Sequence, residues 1–134
     1  IGRTVECTKA GLGLKAFFVL AALGEKAIAR YVETATDLAL RAFALINRRP
    51  GFSCPVEPQS NILCFRYGDS DAVQMELRNR LIIEGDFHIS TTEFRGHRYL
   101  RLVFMNPYTD ERVVEALLDR IERLASEPLS AALP

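Results

Sequence analysis

The sequence predicts an α+β chain in which a ββαββα domain follows two helices. Apolar residues recur at helical spacing in four segments, and four shorter segments have the alternating pattern that is typical of strands. Turn-forming Pro and Gly residues separate these segments. Because 49% of the 134 residues are hydrophobic, the chain has enough apolar surface to form a core.

The first 50 residues predict two helices. Residues 10–23 are strongly apolar, but Lys15 interrupts the run and it is too short to cross a bilayer, so we expect a buried helix. Glu25 begins a longer amphipathic pattern that ends before Arg48. The breaking pair Pro50-Gly51 follows. We therefore place a domain boundary there, with linker helices at 1–50 and a compact domain at 51–134.

The compact domain alternates strands and helices. One helix is capped by Asp69 or Ser70 and ends at Gly85, and the last follows an N-cap at Thr109. A hairpin turn is expected at 95–97. Such a unit covers one face of an antiparallel sheet with helices and leaves the other face for a neighbouring domain. The four expected strands are residues 52–56, 61–67, 87–92 and 98–105.

Composition argues against several classes of function. Seventeen basic and seventeen acidic side chains cancel, so we expect neither a nucleic-acid nor a membrane partner. The three cysteines Cys7, Cys54 and Cys64 show no paired spacing, which favours reduced thiols and a cytoplasmic location. His88 and His97 have no acidic or cysteine neighbours at ligand spacing, so no metal site is expected.

The two ends of the sequence differ in character. The chain begins at Ile1 with neither a methionine nor a signal-like region, which is typical of a segment from within a longer protein. Residues 127–134 lose helical periodicity and contain two prolines, as natural C-terminal tails often do. We therefore expect the start, and not the end, to be a cut.

The most informative residue is Arg101, a charge inside the apolar strand of residues 99–105. Strand alternation places Leu100 and Leu102 on one face and Arg101 on the other. Arginine stays charged, so Arg101 needs a carboxylate, a phosphate or water on that second face. The strand pattern alone leaves two interpretations open, a structural arginine that is paired or solvated, and a binding site for a ligand carboxylate.

Six segments, taken together in their order and spacing, form a recognisable pattern. They are Thr4-Val5-Glu6-Cys7-Thr8-Lys9, Leu14-Lys15-Ala16-Phe17-Phe18, Leu23-Gly24, Asn61-Ile62-Leu63-Cys64-Phe65-Arg66, Tyr99-Leu100-Arg101-Leu102-Val103-Phe104-Met105-Asn106-Pro107 and Ile121-Glu122-Arg123-Leu124. This pattern resembles the C-terminal third of the group II pyridoxal-phosphate-dependent amino-acid decarboxylases, and the resemblance spans nearly the whole chain. That family includes glutamate, diaminobutyrate, cysteine sulfinate and aromatic amino-acid decarboxylases.

The resemblance implies a role for two residues. The fold would be the aspartate-aminotransferase type, with 1–50 ending the large domain and 51–134 forming the small domain. Arg101 matches the arginine that binds the substrate carboxylate, and Thr8 lies in a segment near the cofactor phosphate at the interface of a homodimer, where relatives often carry a glycine and an arginine instead. The cofactor-bearing lysine follows a histidine in the family, and no lysine here does. The resemblance thus implies an inactive segment of a carboxy-lyase whose pyridoxal phosphate is bound by a lysine outside this chain.

Two other functions remain open. The same cofactor fold serves aminotransferases and other lyases, whose small domains share an arginine for substrate carboxylates. A free-standing α+β ligand-binding or dimerisation module, without any cofactor, would also fit the ββαββα pattern. The run Met105-Asn106-Pro107 is closer to the glutamate and diaminobutyrate branch of the decarboxylases than to the aromatic branch.

Overall fold

The computed structural model describes residues 12–85 and 87–127. From residue 52 onward the elements follow the order ββαββα, which confirms the predicted α+β fold class. No helix in this part of the chain is long and apolar enough to cross a membrane. The helices are α1 Leu12–Leu23, α2 Glu25–Arg48, α3 Asp71–Glu84 and α4 Glu111–Ser126, and the strands are β1 Phe52–Ser53, β2 Ile62–Tyr67, β3 Ser90–Phe94 and β4 His97–Val103.

The chain divides into two compact units, residues 1–33 and 34–134. In the first unit, α1 is a helix as predicted, but none of its residues is buried. Phe17 is 63% exposed and Phe18 is 59% exposed. The expected burial of this helix is not seen among the described residues, although a helix that is apolar on all sides normally packs inside a protein.

The second unit begins within α2, because the C-terminal half of this helix contributes to the core. Leu38 is nearly buried, and Ala39, Ala42 and Ile46 are fully buried. They recur at the helical spacing that the amphipathic pattern predicts. The predicted division at residue 50 concerns the domains of a longer protein and stays a prediction.

The strands form one antiparallel sheet in the order β1-β2-β4-β3. Helix α3 packs against β2, β3 and β4, and α4 packs against α3. On the sheet side that faces the helices, Leu63 is 1% exposed and Phe65 and Leu100 are fully buried. This side is called the core face, and it lies in one apolar cluster with the buried residues of α2, α3 and α4.

Several element boundaries differ from the predicted ones: β3 ends at Phe94 and not at residue 92, and β4 spans His97–Val103 and not residues 98–105. Strand β1 stops at Ser53, because Pro55 has no backbone donor and the Cys54 N–H donates to Asn47 Oδ1 at 3.0 Å instead of to a strand. Strand β3 begins at Ser90, where its pairing with β4 starts, and not at residue 87. Helix α4 is capped by Asp110 and not by Thr109: the Asp110 side chain accepts a hydrogen bond from the Val113 N–H.

The turn between β3 and β4 has a backbone that sequence reasoning alone did not identify. Arg95 has φ 53° and Gly96 has φ 79°, so both central residues are left-handed. Two-residue hairpin turns of this kind match the twist of the strands they join. The turn sets the register Phe94↔His97, and through it Ser90↔Arg101. The side chain of Arg95 lies over the Phe94 ring, 5.0 Å from its centroid.

Candidate functional site

Arg101 lies in the middle of β4, on the sheet side away from the core face. Its neighbour Leu100 is fully buried, whereas Arg101 is partly exposed. Its cross-strand partners are Cys64 on β2 and Ser90 on β3. Ile62 and Val103, which also form a cross-strand pair, are 44% and 37% exposed. We call this second side of the sheet, with Ile62, Cys64, Ser90, Arg101 and Val103, the open face.

The guanidinium of Arg101 has one side-chain hydrogen bond. Its Nε donates to Ser90 Oγ at 3.0 Å. Among the described residues no Asp or Glu forms a salt bridge with Arg101. By contrast, Arg49 forms salt bridges with Asp119 and Glu122 of α4. Both terminal nitrogens of Arg101 are thus available for an anion from outside this part of the chain.

A second arginine of the open-face side, Arg66, is held very differently. It is only 7% exposed, its Nε donates to the Gly68 carbonyl at 3.0 Å, and its Nη2 lies 3.3 Å from Asp71 Oδ1. Its guanidinium lies over the ring of Tyr99, 5.5 Å from the centroid. Since Asp71 Oδ1 also accepts from the backbone N–H of Arg98, this group ties the start of α3 to β4. Arg66 therefore has a structural role.

Cys64 is the cross-strand partner of Arg101 on β2. Partial burial raises the pKa of the Cys64 thiol, and the positive charge of Arg101 opposes that rise. Burial raises the pKa of Cys54 further, to about 12. Both thiols are free and both stay protonated near neutral pH, so neither is poised as a nucleophile.

The described residues do not assemble a cofactor or metal site. Lys15 and Lys26 are the lysines among them, and they belong to α1 and to the start of α2 in the first unit. No group of three or more His, Cys, Asp or Glu side chains within residues 12–85 and 87–127 could hold a metal ion. Thr8, the residue expected near a cofactor phosphate, lies outside the described residues, as do Cys7 and Lys9.

Sequence reasoning placed Arg101 on the open face but did not identify Ser90 as its hydrogen-bond partner. The signal was present in the turn, because a two-residue turn at Arg95-Gly96 pairs Phe94 with His97. Counting four residues away from that pair along each strand brings Ser90 opposite Arg101. The placement of the hairpin over three residues, 95–97, hid this register.

No family model matches the sequence. A curated relative, the aromatic-L-amino-acid decarboxylase of Sus scrofa, is 26% identical over 118 residues, which is 88% of this chain and 24% of that protein. The chain therefore spans about a quarter of the length of this relative.

Solved structures give the same result at the level of the fold. The glutamate decarboxylase domain of diaminobutyrate-pyruvate transaminase and L-2,4-diaminobutyrate decarboxylase from Vibrio parahaemolyticus is 25% identical, with a TM-score of 0.79, over 86% of this chain and 26% of that one. Oryza sativa TDC, solved with PLP and tryptamine, is 20% identical, with a TM-score of 0.77, over 88% of this chain and 27% of that one. Mouse CSAD is 22% identical, with a TM-score of 0.76, over 83% and 27%.

The comparisons confirm the resemblance to the pyridoxal-phosphate-dependent amino-acid decarboxylases that the sequence predicts, over most of the chain. They also confirm the fold class, that of the C-terminal part of such proteins. An Escherichia coli cysteine desulfurase shares the fold more distantly, with 21% identity and a TM-score of 0.60.

Proposed function

We propose that this chain is the C-terminal part of a pyridoxal-phosphate-dependent decarboxylase that converts an L-amino acid to its amine and carbon dioxide. In this proposal residues 51–134 are the small domain, residues 1–50 end the large domain and its linker, and Arg101 binds the substrate carboxylate. The cofactor is bound by a lysine outside this chain, so the chain by itself is inactive. The complete protein is a cytoplasmic homodimer.

One observation carries the proposal for Arg101. Its guanidinium lies on the open face with Ser90 Oγ as its hydrogen-bond partner, whereas Arg49 is paired with the carboxylates of Glu122 and Asp119. A planar guanidinium binds a carboxylate through two parallel hydrogen bonds, which fixes the orientation of the ligand as well as its position. A permanent charge held rigidly in a strand is well suited to that task.

Exposed apolar side chains on the open face and on helix α1 favour the presence of a neighbouring large domain in the complete protein. Ile62 and Val103 on the sheet, and Phe17 and Phe18 on the helix, are large apolar side chains that this chain leaves exposed. Apolar surface of this extent is normally covered in the complete protein. A large domain over the open face would bring its cofactor to the same side as Arg101.

The residues present fit a substrate-positioning role rather than a cofactor-binding one. When bound elsewhere in the protein, pyridoxal phosphate supplies the electron sink that accepts the electron pair released as carbon dioxide departs. Arg101 would hold the amino acid so that its reacting bond has a single orientation, which removes rotational freedom before the reaction. The strand backbone keeps the guanidinium fixed, and the exclusion of water by the neighbouring domain would strengthen the ion pair.

A product assay tests the proposal. The complete protein, expressed from its natural reading frame and supplied with pyridoxal phosphate, should release carbon dioxide and the matching amine from at least one member of a panel of acidic, diamino and aromatic L-amino acids. Formation of a keto acid without carbon dioxide would instead show an aminotransferase. A folded monomer that neither binds pyridoxal phosphate nor forms either product would support the free-standing module.

A further inference from the structure

We infer that Ser90 is a positioning residue for Arg101 and sets the side from which the substrate carboxylate approaches it. This inference rests on the proposed function and deepens it by adding a residue that acts through Arg101. The observation behind it is the hydrogen bond from Arg101 Nε to Ser90 Oγ, 3.0 Å long, between two side chains that are directly paired across β3 and β4.

The position of this hydrogen bond on the guanidinium decides what remains available. An arginine can bind a carboxylate side-on, with Nε and one terminal nitrogen, or end-on, with both terminal nitrogens. Because Ser90 occupies Nε, the side-on mode is blocked and the end-on mode remains. The same bond removes rotation about the last torsions of the side chain, so that less conformational freedom is lost when the ligand binds.

Among the neighbours of Arg101 in the sheet, Ser90 is the residue whose side chain can hold the guanidinium in one orientation. Cys64, on the other neighbouring strand, is a thiol and a much weaker hydrogen-bond acceptor than a hydroxyl. Thr92, the next residue of β3 on the open face, pairs with Tyr99 and not with Arg101. Among the described residues, Ser90 therefore provides the oxygen that orients the guanidinium.

Steady-state kinetics of the complete protein test the inference with the variants Ser90→Ala and Ser90→Thr. Ser90→Ala should raise KM for the amino acid about tenfold, the effect of one hydrogen bond to a charged group, and change kcat less. Ser90→Thr keeps the hydroxyl and should restore KM to within about twofold of the unmodified protein. The matched control Thr92→Ala, on the same strand and face, should leave KM unchanged.

Inhibition by the product amine separates positioning from a general structural role. The amine lacks the carboxylate, so its inhibition constant should not change in Ser90→Ala, whereas damage to the fold would weaken the binding of amine and amino acid alike. An unchanged KM in Ser90→Ala, equal losses for amine and amino acid, or a Ser90→Thr variant as weak as Ser90→Ala would each overturn the inference. If the unmodified protein releases no carbon dioxide, the proposed function is wrong, and the inference about Ser90, which rests on that function, is wrong as well.

Discussion

The two faces of the sheet show how one strand can serve folding and binding at once. On the core face Leu63, Phe65 and Leu100 are almost completely buried against the helices. On the open face, Ile62 and Val103 remain more than a third exposed. Because the side chains of a strand alternate, the two faces are built from alternate residues of the same two strands, β2 and β4. The effect of a substitution on one face can therefore be compared with the effect of a substitution at a nearby residue on the other face.

Arg49 and Arg101 show a similar contrast in the partners of their charged side chains. Arg49, at the end of α2, donates from Nε to Glu122 Oε1 at 2.8 Å and from Nη2 to Glu122 Oε2 at 2.6 Å, and it also contacts Asp119. Arg101 has a hydroxyl instead of a carboxylate. The chain thus neutralises the arginine that joins two helices and leaves the terminal nitrogens of the open-face arginine for a ligand.

The largest effect is expected from the core face. Phe65→Ala should lower the free energy of unfolding of this chain by about 3 to 5 kcal/mol, because it removes a fully buried ring and leaves a cavity. Ile62→Ala, three positions away on the open face, should cost less than about 1 kcal/mol, since Ile62 is 44% exposed. Urea denaturation followed by circular dichroism measures both. Equal losses would mean that the two faces do not differ as described.

A kinetic effect is expected from the open face. Arg101→Lys in the complete protein should lower kcat/KM by about 10- to 100-fold, because lysine keeps the charge but loses the two-pronged geometry. The free energy of unfolding should change by less than about 0.5 kcal/mol, since the side chain has no carboxylate partner among the described residues.

Arg98→Lys is the matched control for this substitution. Arg98 lies on the same strand three residues earlier, and its guanidinium donates to Thr91 Oγ1 at 3.3 Å. Its replacement should leave kcat/KM within about twofold of the unmodified protein. A loss as large as that of Arg101→Lys would show that any positive charge on β4 contributes, and unchanged kinetics in Arg101→Lys would remove Arg101 from the site.

The sequence was sufficient for the fold because its signals are local and agree with one another. Helical periodicity predicted α2, α3 and α4, and alternation predicted which side of β4 Arg101 occupies. The strand ends were less accurate: Phe87 and Ile89 have a strand pattern, but β3 pairs with β4 only from Ser90 onward. Register is a property of two strands together, and the periodicity of one strand does not contain it.

The hydrogen-bond partners of individual side chains could not be predicted from the sequence for a similar reason. Gln74 is a fully buried polar side chain that binds both backbone groups of Tyr67, at 3.1 and 2.8 Å. Nothing in the helical pattern of α3 distinguishes it from an exposed glutamine. Counting from the turn places Ser90 opposite Arg101, but it does not show that their side chains form a hydrogen bond. Such partners become visible only when the chain is folded.

The smallest effect is expected for the ion pair between Arg49, just after α2, and Glu122 on α4. The dependence of this effect on pH distinguishes it from an effect of packing. The hydrogen bonds from Arg49 lower the pKa of the Glu122 carboxyl below its usual value of about 4.5. A carboxyl with a lowered folded-state pKa stabilises the fold above its unfolded-state pKa, and this stabilisation is lost as the pH falls through the folded-state value. Glu122→Gln should therefore cost about 1 kcal/mol at pH 7, because the pair is partly exposed.

The difference between Glu122→Gln and the unmodified chain should shrink as the pH falls below about 4.5 and should vanish once Glu122 is protonated. Urea denaturation at a series of pH values measures this directly. The exposed Glu115 of the same helix serves as the control, and Glu115→Gln should change the free energy of unfolding by less than about 0.5 kcal/mol. A difference that persists unchanged at low pH would mean that Arg49 and Glu122 contribute through packing and not through charge, and the electrostatic contrast between Arg49 and Arg101 would then fail.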